Sequence, residues 1–319
     1  MPAPRVAVLV PCYNEEAAIT KVVADFKAAL PDAVVYVYDN NSTDKTIEVA
    51  TAAGAEVRRE MRKGKGNVVR RMFQDIDADI YVMVDGDDTY DASAAPKLVD
   101  LLVEDNLDMV VGRRIETHQE AYRAGHRLGN AVLTGLVRWL FGASIVDMLS
   151  GYRVFSRRFV KSFPSFSREF EIETELTVHA MQMRMAVAEV NTDYKERPPG
   201  SVSKLRTFRD GWRILMTISN LMRNERPLLF FGLLALLFTG VAVALGIPVL
   251  THYLSTGLVP RLPTAVLCMG LGLIGVIAVA TGLILDLVSH VRREGKRLAY
   301  LSYPAPRPSE GAPPRLQKP

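Results

Sequence analysis

The residues best suited to chemistry are two aspartates at the end of an apolar run. Asp85 and Asp87 stand two positions apart, directly after the apolar residues 82–84 and before a loop rich in aspartate, threonine and serine. The apolar run is typical of a buried strand, which would deliver both carboxylates to its carboxyl end. Carboxylate oxygens are hard ligands that suit Mg2+ or Mn2+. We therefore expect Asp85 and Asp87 to hold a divalent metal ion; a solvated acidic turn is the alternative.

Three further polar turns follow predicted strands earlier in the chain. The predicted strands are residues 5–10, 34–38 and 56–58, and the predicted helices are 17–30, 45–53 and 68–76. This alternation indicates an α/β fold with a parallel, doubly wound sheet, in which the turns would gather at the carboxyl edge where ligands bind. The turns are Pro11-Cys12-Tyr13-Asn14-Glu15, Asp39-Asn40-Asn41-Ser42-Thr43 and Lys63-Gly64-Lys65-Gly66.

The turn residues have chemistry that suits a nucleotide site. Asn14, Glu15 and Asp39 could accept hydrogen bonds from a base or a ribose. Lys65 stands between two glycines and could approach a phosphate closely. Each turn also has an ordinary interpretation as a solvated loop or a helix start. Their occurrence on successive strand ends favours the nucleotide site.

The last third of the chain has a different composition. Residues 228–250 and 264–288 are almost free of charge, and each run is long enough to cross a hydrocarbon core of about 30 Å. The loop between them, 251–263, is short and carries only Arg261 and His252 as basic residues. The outer flanks carry Arg223, Arg226, Arg292, Arg293, Lys296 and Arg297. This asymmetry predicts two membrane helices with both outer ends cytoplasmic; a buried helical hairpin is the alternative.

Several partner classes are disfavoured by composition. The two cysteines, Cys12 and Cys268, imply neither a disulfide framework nor a metal knuckle. The formal net charge of +4 suits anionic headgroups, but no basic and aromatic platform indicates a nucleic-acid partner. The first residues lack a charged-then-apolar leader, so we expect the first domain to stay in the cytoplasm.

The chain resembles the family 2 inverting glycosyltransferases of the GT-A fold. The resemblance is carried by Pro11-Cys12-Tyr13-Asn14-Glu15-Glu16, Asp39-Asn40-Asn41-Ser42-Thr43-Asp44-Lys45-Thr46, Gly64-Lys65-Gly66 and Asp85-Gly86-Asp87, in this order and spacing. The resemblance implies a nucleotide-sugar donor that contacts Pro11, Tyr13, Asn14, Glu15, Asp39, Lys65, Asp85, Gly86 and Asp87. Asn40 and Asn41 depart from the commoner Asp-Gly form. Asparagine tolerates positive φ, so the turn can survive.

A second element points to a group within that family. Asp147-Met148-Leu149-Ser150-Gly151-Tyr152-Arg153 resembles the Asp-x-x-Ser-Gly-Phe-Arg element of polyprenyl-phosphate glycosyltransferases, which include the dolichol-phosphate mannose synthases. This resemblance implies transfer of one sugar, with inversion, from a UDP- or GDP-sugar to undecaprenyl or dolichyl phosphate. The alternatives are a transferase that extends a sugar hydroxyl, or a non-catalytic scaffold that binds nucleotide sugars.

The group resemblance also implies roles for single residues. Arg113 and Arg127 match positions that bind the lipid phosphate, Arg153 suits the same charge compensation, and Ser150 could donate a hydrogen bond. Asp147 would orient an arginine or act as a base.

Other implied roles concern the donor side of the site. Arg197 and Lys204 lie in a segment that resembles an Arg-x-x-Gly-x-Ser-Lys loop and would neutralise the diphosphate. Thr89 stands where relatives often carry glutamine, so a third metal ligand would have to come from Asp88. Glu173 or Glu175 matches an element near the donor sugar.

The predicted organisation has four parts. Residues 1–204 would form the GT-A domain, 205–226 an amphipathic juxtamembrane helix, 227–291 the membrane hairpin, and 292–319 a basic, proline-rich cytoplasmic tail. The enzyme would then be a multi-pass protein of the inner, or plasma, membrane with its catalytic domain in the cytoplasm. Relatives with such a hairpin form tetramers, which implies a homo-oligomer.

Overall fold

The sheet of the protein contains the four strands named above and three further strands beside them. The computed structural model describes residues 4–116, 135, 146–164, 172–195, 216, 219–220 and 222–306. In these residues one seven-stranded sheet has the order β3-β2-β1-β4-β6-β5-β7. The strands are β1 (Val6–Cys12), β2 (Val34–Asp39), β3 (Glu56–Arg59), β4 (Ile80–Met83), β5 (Met109–Glu116), β6 (Arg153–Ser156) and β7 (Val187–Tyr194).

Parallel pairing at the centre of the sheet aligns the strand ends that carry the predicted site. In β1, Leu9 pairs with Tyr36 of β2 on one side and with Met83 of β4 on the other. All four residues of β4 are buried, as expected for a strand covered on both faces. The predicted doubly wound, mostly parallel α/β sheet is therefore confirmed. Only β6 among these strands runs antiparallel to its neighbours, β4 and β5.

Short helices connect the strands. They are α1 (Ile19–Ala29), α2 (Thr46–Ala52), α3 (Lys65–Asp75), α4 (Ala95–Glu104), α5 (Arg157–Ser162) and α6 (Ile172–Gln182). Helix α1 buries Ile19, Val22, Val23 and Phe26, the spacing of one apolar face of a helix. Helix α3 begins three residues before the predicted start, so Lys65 belongs to its first turn rather than to a loop.

Two long helices follow: α7 (Pro227–Thr256) and α8 (Leu262–Leu301). Both are long and apolar enough to cross a membrane, and most of their large apolar side chains are exposed. Small residues allow them to approach closely: a Cβ on Gly275 would lie 2.6 Å from Thr239 Oγ1, and one on Gly282 would lie 3.0 Å from Phe231 Cβ. Gly257, with φ of 70°, ends α7 in the left-handed conformation.

The boundaries of the C-terminal part differ from the predicted ones. The chain forms two compact units, residues 1–210 with 295–319, and residues 211–294. Residues 292–301, which the sequence placed in the tail, continue α8 as helix. Within the first unit, Tyr300 donates to Asp108 Oδ2 at 3.0 Å and Lys296 donates to Gln182 Oε1 at 2.9 Å. Most of the predicted juxtamembrane helix and the end of the tail lie outside the described residues.

A neutral histidine is buried in the first unit. His179 of α6 is 1% exposed, its Nε2 lies 3.2 Å from Ser162 Oγ, and its ring packs edge-on against Phe159. Its Nδ1 has no hydrogen-bond partner among the described residues. Burial, with the positive charge of Lys296, lowers the pKa of His179 to about 3.

This histidine should make stability depend on pH. The unfolded chain binds a proton at His179 near pH 6.5, whereas the folded chain does so near pH 3, so the free energy of unfolding should fall as the pH drops below 6.5. The slope should approach ~1.4 kcal/mol per pH unit for this one proton. Thermal unfolding in detergent at pH 7.5, 6.0 and 5.0 measures it. In His179→Gln, the loss of stability between pH 7.5 and pH 5 should be smaller than in the parent. An equal loss of stability in the variant would rule out His179 as the source of the pH dependence.

Candidate active site

The acidic pair lies directly after β4. Asp85 Oδ1 accepts a hydrogen bond from Lys65 Nζ at 2.5 Å. Asp87 is only 4% exposed and accepts from Thr89 Oγ1 at 2.6 Å. The structure thus brings together Lys65 and Asp85, two residues that the sequence placed in one site, and it fixes Asp87 by a neighbouring hydroxyl.

The glycine between the two acids is required by the close approach of β1. A Cβ on Gly86 would lie 2.6 Å from Cys12 Sγ, the last residue of β1. Burial, together with the negative charges of Glu15, Asp39 and the acidic pair, raises the pKa of the Cys12 thiol. Cys12 therefore remains a neutral packing group beneath the acids.

Lys65 is held by two carboxylates. Besides Asp85, its Nζ contacts Glu173 Oε1 of α6 at 2.5 Å. Burial opposes the charge on Lys65, but the carboxylates of Asp85 and Glu173 outweigh it and raise the pKa of the lysine. Gly64 precedes the helix with φ of 118°, a conformation that glycine adopts readily, and this sharp entry places Lys65 in the first turn of α3. Lys65 is therefore a fixed positive charge beside the acids.

The third metal ligand suggested by the sequence is turned away. Asp88 has φ of 55°, and its Oδ1 lies 2.9 Å from Lys21 Nζ on α1. In the described residues no group of three His, Cys, Asp or Glu side chains could hold a metal ion. Mg2+ commonly takes one or two carboxylates and completes its shell with phosphate oxygens and water. The hard oxygens of Asp85 and Asp87 therefore fit a metal ion that arrives with a diphosphate.

The first two turns are tied to each other by hydrogen bonds. Asn14 donates its backbone N–H to Ser42 Oγ at 2.9 Å and accepts from Thr43 N at its Oδ1, at 2.8 Å. Glu15 donates its backbone N–H to Thr46 Oγ1 at 2.9 Å. Asn14 therefore uses its side-chain oxygen to build the turn.

The other predicted nucleotide-binding residues occupy the same edge. Asp39 is 1% exposed and accepts from Ser42 N at 3.2 Å, so its carboxylate also shapes the turn. Pro11 pairs in register with Tyr38, and Tyr13 follows at the end of β1 with 38% of its surface exposed. Contact of these residues with a nucleotide stays a prediction.

Asn40 explains why this chain departs from the commoner acidic form. Its Nδ2 donates to Glu60 O at 2.9 Å and to Arg62 O at 2.8 Å, while its Oδ1 accepts from Gly64 N at 2.7 Å. An aspartate could not make the two donations. Asn41 has the positive φ expected of it, 65°. Asn40 thus joins the turn after β2 to the segment that leads into α3 and Lys65.

The Asp147–Arg153 element packs against the acidic pair. A Cβ on Gly151 would lie 2.3 Å from Asp85 Oδ2, so only a glycine leaves that carboxylate in place. Gly151 N also donates to Tyr90 Oη at 2.9 Å. The element that resembles polyprenyl-phosphate enzymes therefore forms one wall of the site that holds Asp85.

Asp147 orients an arginine, one of its two predicted roles. Arg114 Nε and Nη2 each donate to its carboxylate at 2.8 Å, and Arg114 N donates at 3.2 Å. Burial opposes ionisation, but these bonds and the charge of Arg114 lower the pKa of Asp147. The guanidinium of Arg114 lies 5.5 Å from the centre of the Tyr194 ring. The pairing of Arg114 could not be predicted from the sequence, because which of two adjacent arginines meets Asp147 depends on strand register.

Arg153 and Ser150 have structural contacts in place of the predicted contact with a phosphate. Arg153 is fully buried and donates to Ser150 O at 2.9 Å, to Met148 O at 2.5 Å and to Thr177 Oγ1 at 2.8 Å. Burial lowers the pKa of Arg153 to about 10, so it stays charged at neutral pH. Ser150 Oγ donates to Gly112 O at 2.6 Å. In this structure neither side chain is presented to an acceptor.

Four predicted basic residues remain: Arg113, Arg127, Arg197 and Lys204. Arg113 lies exposed on β5. Arg127, Arg197 and Lys204 lie outside the described residues. Lys195, the last described residue before that segment, donates its backbone N–H to Thr89 O at 2.8 Å.

The amide of Asn40 gives a stability prediction. Asn40→Asp would replace two donations by a carboxylate facing two carbonyl oxygens, and we expect a loss of about 1–3 kcal/mol in the free energy of unfolding. Chemical denaturation in detergent measures the change. Asn41→Asp is the matched control: its Nδ2 donates to Met61 O at 3.0 Å and to Glu60 O at 3.4 Å, but these bonds are longer and that residue is more exposed, so we expect a smaller loss. Equal stability of the Asn40→Asp variant and the parent would contradict the role assigned to the amide.

Comparison with known proteins agrees with this geometry. Residues 7–163 match the family described as glycosyl transferase family 2. The chain is 33% identical over 297 residues to glycosyltransferase AglJ of Haloferax volcanii, covering 92% of this chain and 97% of that one. It is 31% identical over 220 residues to the dolichyl-phosphate hexose transferase of Haloferax volcanii, covering 69% of this chain and 95% of that one.

A solved structure extends the comparison. The crystal structure of glucosyl-3-phosphoglycerate synthase from Mycobacterium tuberculosis, in complex with Mn2+, UDP-glucose and phosphoglyceric acid, has a TM-score of 0.56 and 25% sequence identity, covering 69% of this chain and 79% of that one. The expected GT-A fold is therefore confirmed. The chain belongs to glycosyltransferase family 2, and dolichyl-phosphate hexose transferase is among its relatives.

Proposed function

We propose that this glycosyltransferase moves one sugar, with inversion, from a UDP- or GDP-sugar to polyprenyl phosphate at the cytoplasmic face of a membrane. The observation that carries the proposal is the packing of Gly151 against Asp85. It joins the Ser-Gly-Tyr-Arg segment, which resembles the Ser-Gly-Phe-Arg element of polyprenyl-phosphate enzymes, directly to Asp85. The named activity of the dolichyl-phosphate hexose transferase supports the same acceptor class.

The two long helices support a membrane setting for this reaction. Helices α7 and α8 are long and apolar enough to span a bilayer, and basic residues flank their outer ends. Both outer ends would then face the cytoplasm, where nucleotide sugars are supplied. A lipid acceptor would be held close to the enzyme by the same membrane. Assembly of this protein into a homo-oligomer, which the resemblance implies, stays a prediction.

Departure of the nucleotide diphosphate requires positive charge. Lys65, fixed next to Asp85, supplies one such charge, and Arg197 and Lys204 would add to it. Asp85 and Asp87 would hold a Mg2+ or Mn2+ ion, which when bound supplies Lewis-acid stabilisation of the departing diphosphate. Thr89 keeps Asp87 oriented by its hydrogen bond.

The acceptor requires charge compensation more than a base. A phosphate monoester has its second pKa near 6, so at neutral pH it is already largely a dianion. Arg113 and Arg127 would compensate that charge. Asp147, paired with Arg114, is not needed to remove a proton. A sugar-hydroxyl acceptor would need such a base, and the pairing of Asp147 favours the phosphate.

A donor panel tests the proposal. Protein in detergent with Mg2+ or Mn2+ and undecaprenyl phosphate is given each labelled UDP- or GDP-sugar, and we expect one donor to label the lipid phase. Asp87→Ala should lower the rate by at least about a hundredfold, since it removes stabilisation of developing charge. Asp88→Ala, which removes an adjacent acid paired with Lys21, should keep most of the activity. If nucleotide binds but no donor labels the lipid, the polyprenyl-phosphate acceptor is ruled out and a sugar-hydroxyl acceptor is favoured.

The glycine beside Asp85 gives a second test. Gly151→Ala would push a methyl group into the Asp85 carboxylate, the far end of a flexible side chain, so folding should survive while the acid moves. We expect the transfer rate to fall by about tenfold or more, with a nearly unchanged unfolding midpoint. Gly295→Ala, where a Cβ would meet nothing within 4 Å, is the control. Full activity of Gly151→Ala would show that the position of Asp85 does not matter.

A further inference from the structure

Lys65 and its two carboxylates form one charge cluster. Lys65 Nζ lies 2.5 Å from both Asp85 Oδ1 and Glu173 Oε1. The side chains of Lys65 and Glu173 are 11% and 6% exposed and that of Asp85 is 29% exposed, so water screens the Glu173 contact weakly and the Asp85 contact somewhat more. The ammonium therefore neutralises part of the charge that a metal ion would need at Asp85.

A metal ion and Lys65 would compete for the same carboxylate. The second oxygen of Asp85 faces Gly151, and its first oxygen is bonded to Lys65. A dication that enters alone must pull Asp85 away from the ammonium. A diphosphate that enters with the metal offers the ammonium new oxygen partners, while Glu173 keeps Lys65 in place. The exchange is then favourable only when metal and diphosphate arrive together.

We propose that Lys65, held by Glu173, is the internal counter-ion of Asp85 in the free enzyme, so that a divalent metal binds tightly only together with a nucleoside diphosphate. This inference rests on the proposed function, because it takes Asp85 and Asp87 as the metal ligands. Glu173 is then a positioning residue that acts through Lys65. The assignment separates Glu173 from Glu175, which the sequence treated as equivalent.

The chain offers a matched control for the lysine. Lys21 Nζ lies 2.9 Å from Asp88 Oδ1 and 2.7 Å from Asp25 Oδ2, so it is also a lysine between two carboxylates. One of these carboxylates is in the same loop as the acidic pair. Lys21→Met and Lys65→Met remove the same charge, but only the second releases Asp85.

Binding of Mn2+, followed by the EPR signal of the free ion, tests the proposal without any acceptor or turnover. The full chain in detergent is titrated with Mn2+, alone and with UDP or GDP. In the parent, nucleotide should raise the Mn2+ affinity by about tenfold or more. Lys65→Met should raise the affinity for Mn2+ alone by about tenfold and shrink the gain from nucleotide. Lys21→Met should behave as the parent does.

The glutamate pair provides an independent variant if Lys65→Met does not fold. Glu173→Gln leaves Asp85 as the only carboxylate on Lys65, so Mn2+ alone should bind more weakly than in the parent. Glu175→Gln should leave the affinity unchanged. In a Lys65→Met background, the effect of Glu173→Gln should disappear, as expected for a residue that acts through another.

The failures of the two proposals are distinguishable. If Lys65→Met leaves the affinity for Mn2+ alone unchanged, or if Lys21→Met raises it equally, the counter-ion role is overturned while the metal site stands. If Glu173→Gln and Glu175→Gln have the same effect, the positioning role of Glu173 is overturned. If Asp87→Ala does not weaken Mn2+ binding in the presence of nucleotide, the assignment of the metal site to Asp85 and Asp87 is overturned. The proposal of a metal-assisted transfer is then overturned as well.

Discussion

Parallel pairing of β1 with β2 and β4 is the constraint on which the site depends. It brings three strand ends to one edge, so close that Gly86 has no room for a side chain beside Cys12. The turns that follow these strands then hold one another through side-chain and backbone bonds, such as those of Asn14 and Asn40. Much of the polar chemistry at this edge therefore builds the frame before any ligand arrives.

Charge pairing is the second organising feature. Asp85 pairs with Lys65 of α3, Asp88 with Lys21 of α1, and Asp147 with Arg114 of β5. Each basic partner comes from a different helix or strand, so the position of each carboxylate depends on how that helix or strand is packed. The Asp85–Lys65 and Asp147–Arg114 pairs are largely withdrawn from water, so the loss of one partner there leaves a charge that is costly to keep. Such pairs fix the acids in orientation and make the site sensitive to substitutions outside it.

The sequence predicted the parts of the fold that follow from local pattern. Apolar runs ending in polar turns located β1, β2 and β4, and the tolerance of asparagine for positive φ anticipated the turn at Asn41. Strand β6 was not predicted; it begins with Arg153, which the motif pattern assigned to an acceptor phosphate. The choice of Arg114 as partner of Asp147, and of Lys21 as partner of Asp88, could not be predicted either. These pairings depend on the register and packing of elements far apart in the chain.

Arg153 shows how a motif can be informative without touching a ligand. From the sequence, this arginine was predicted to contact the acceptor phosphate, because its charge suits that contact. The structure buries it, and its donors hold the carbonyls of Met148 and Ser150. A buried arginine with several fixed donors can set the path of a loop that a neutral side chain could not hold. That loop puts Gly151 against Asp85, so the motif determines the shape of the wall beside the acid pair. The motif therefore indicates a frame that suits the proposed chemistry, and in that proposal an exposed residue such as Arg113 would be the one to contact the acceptor.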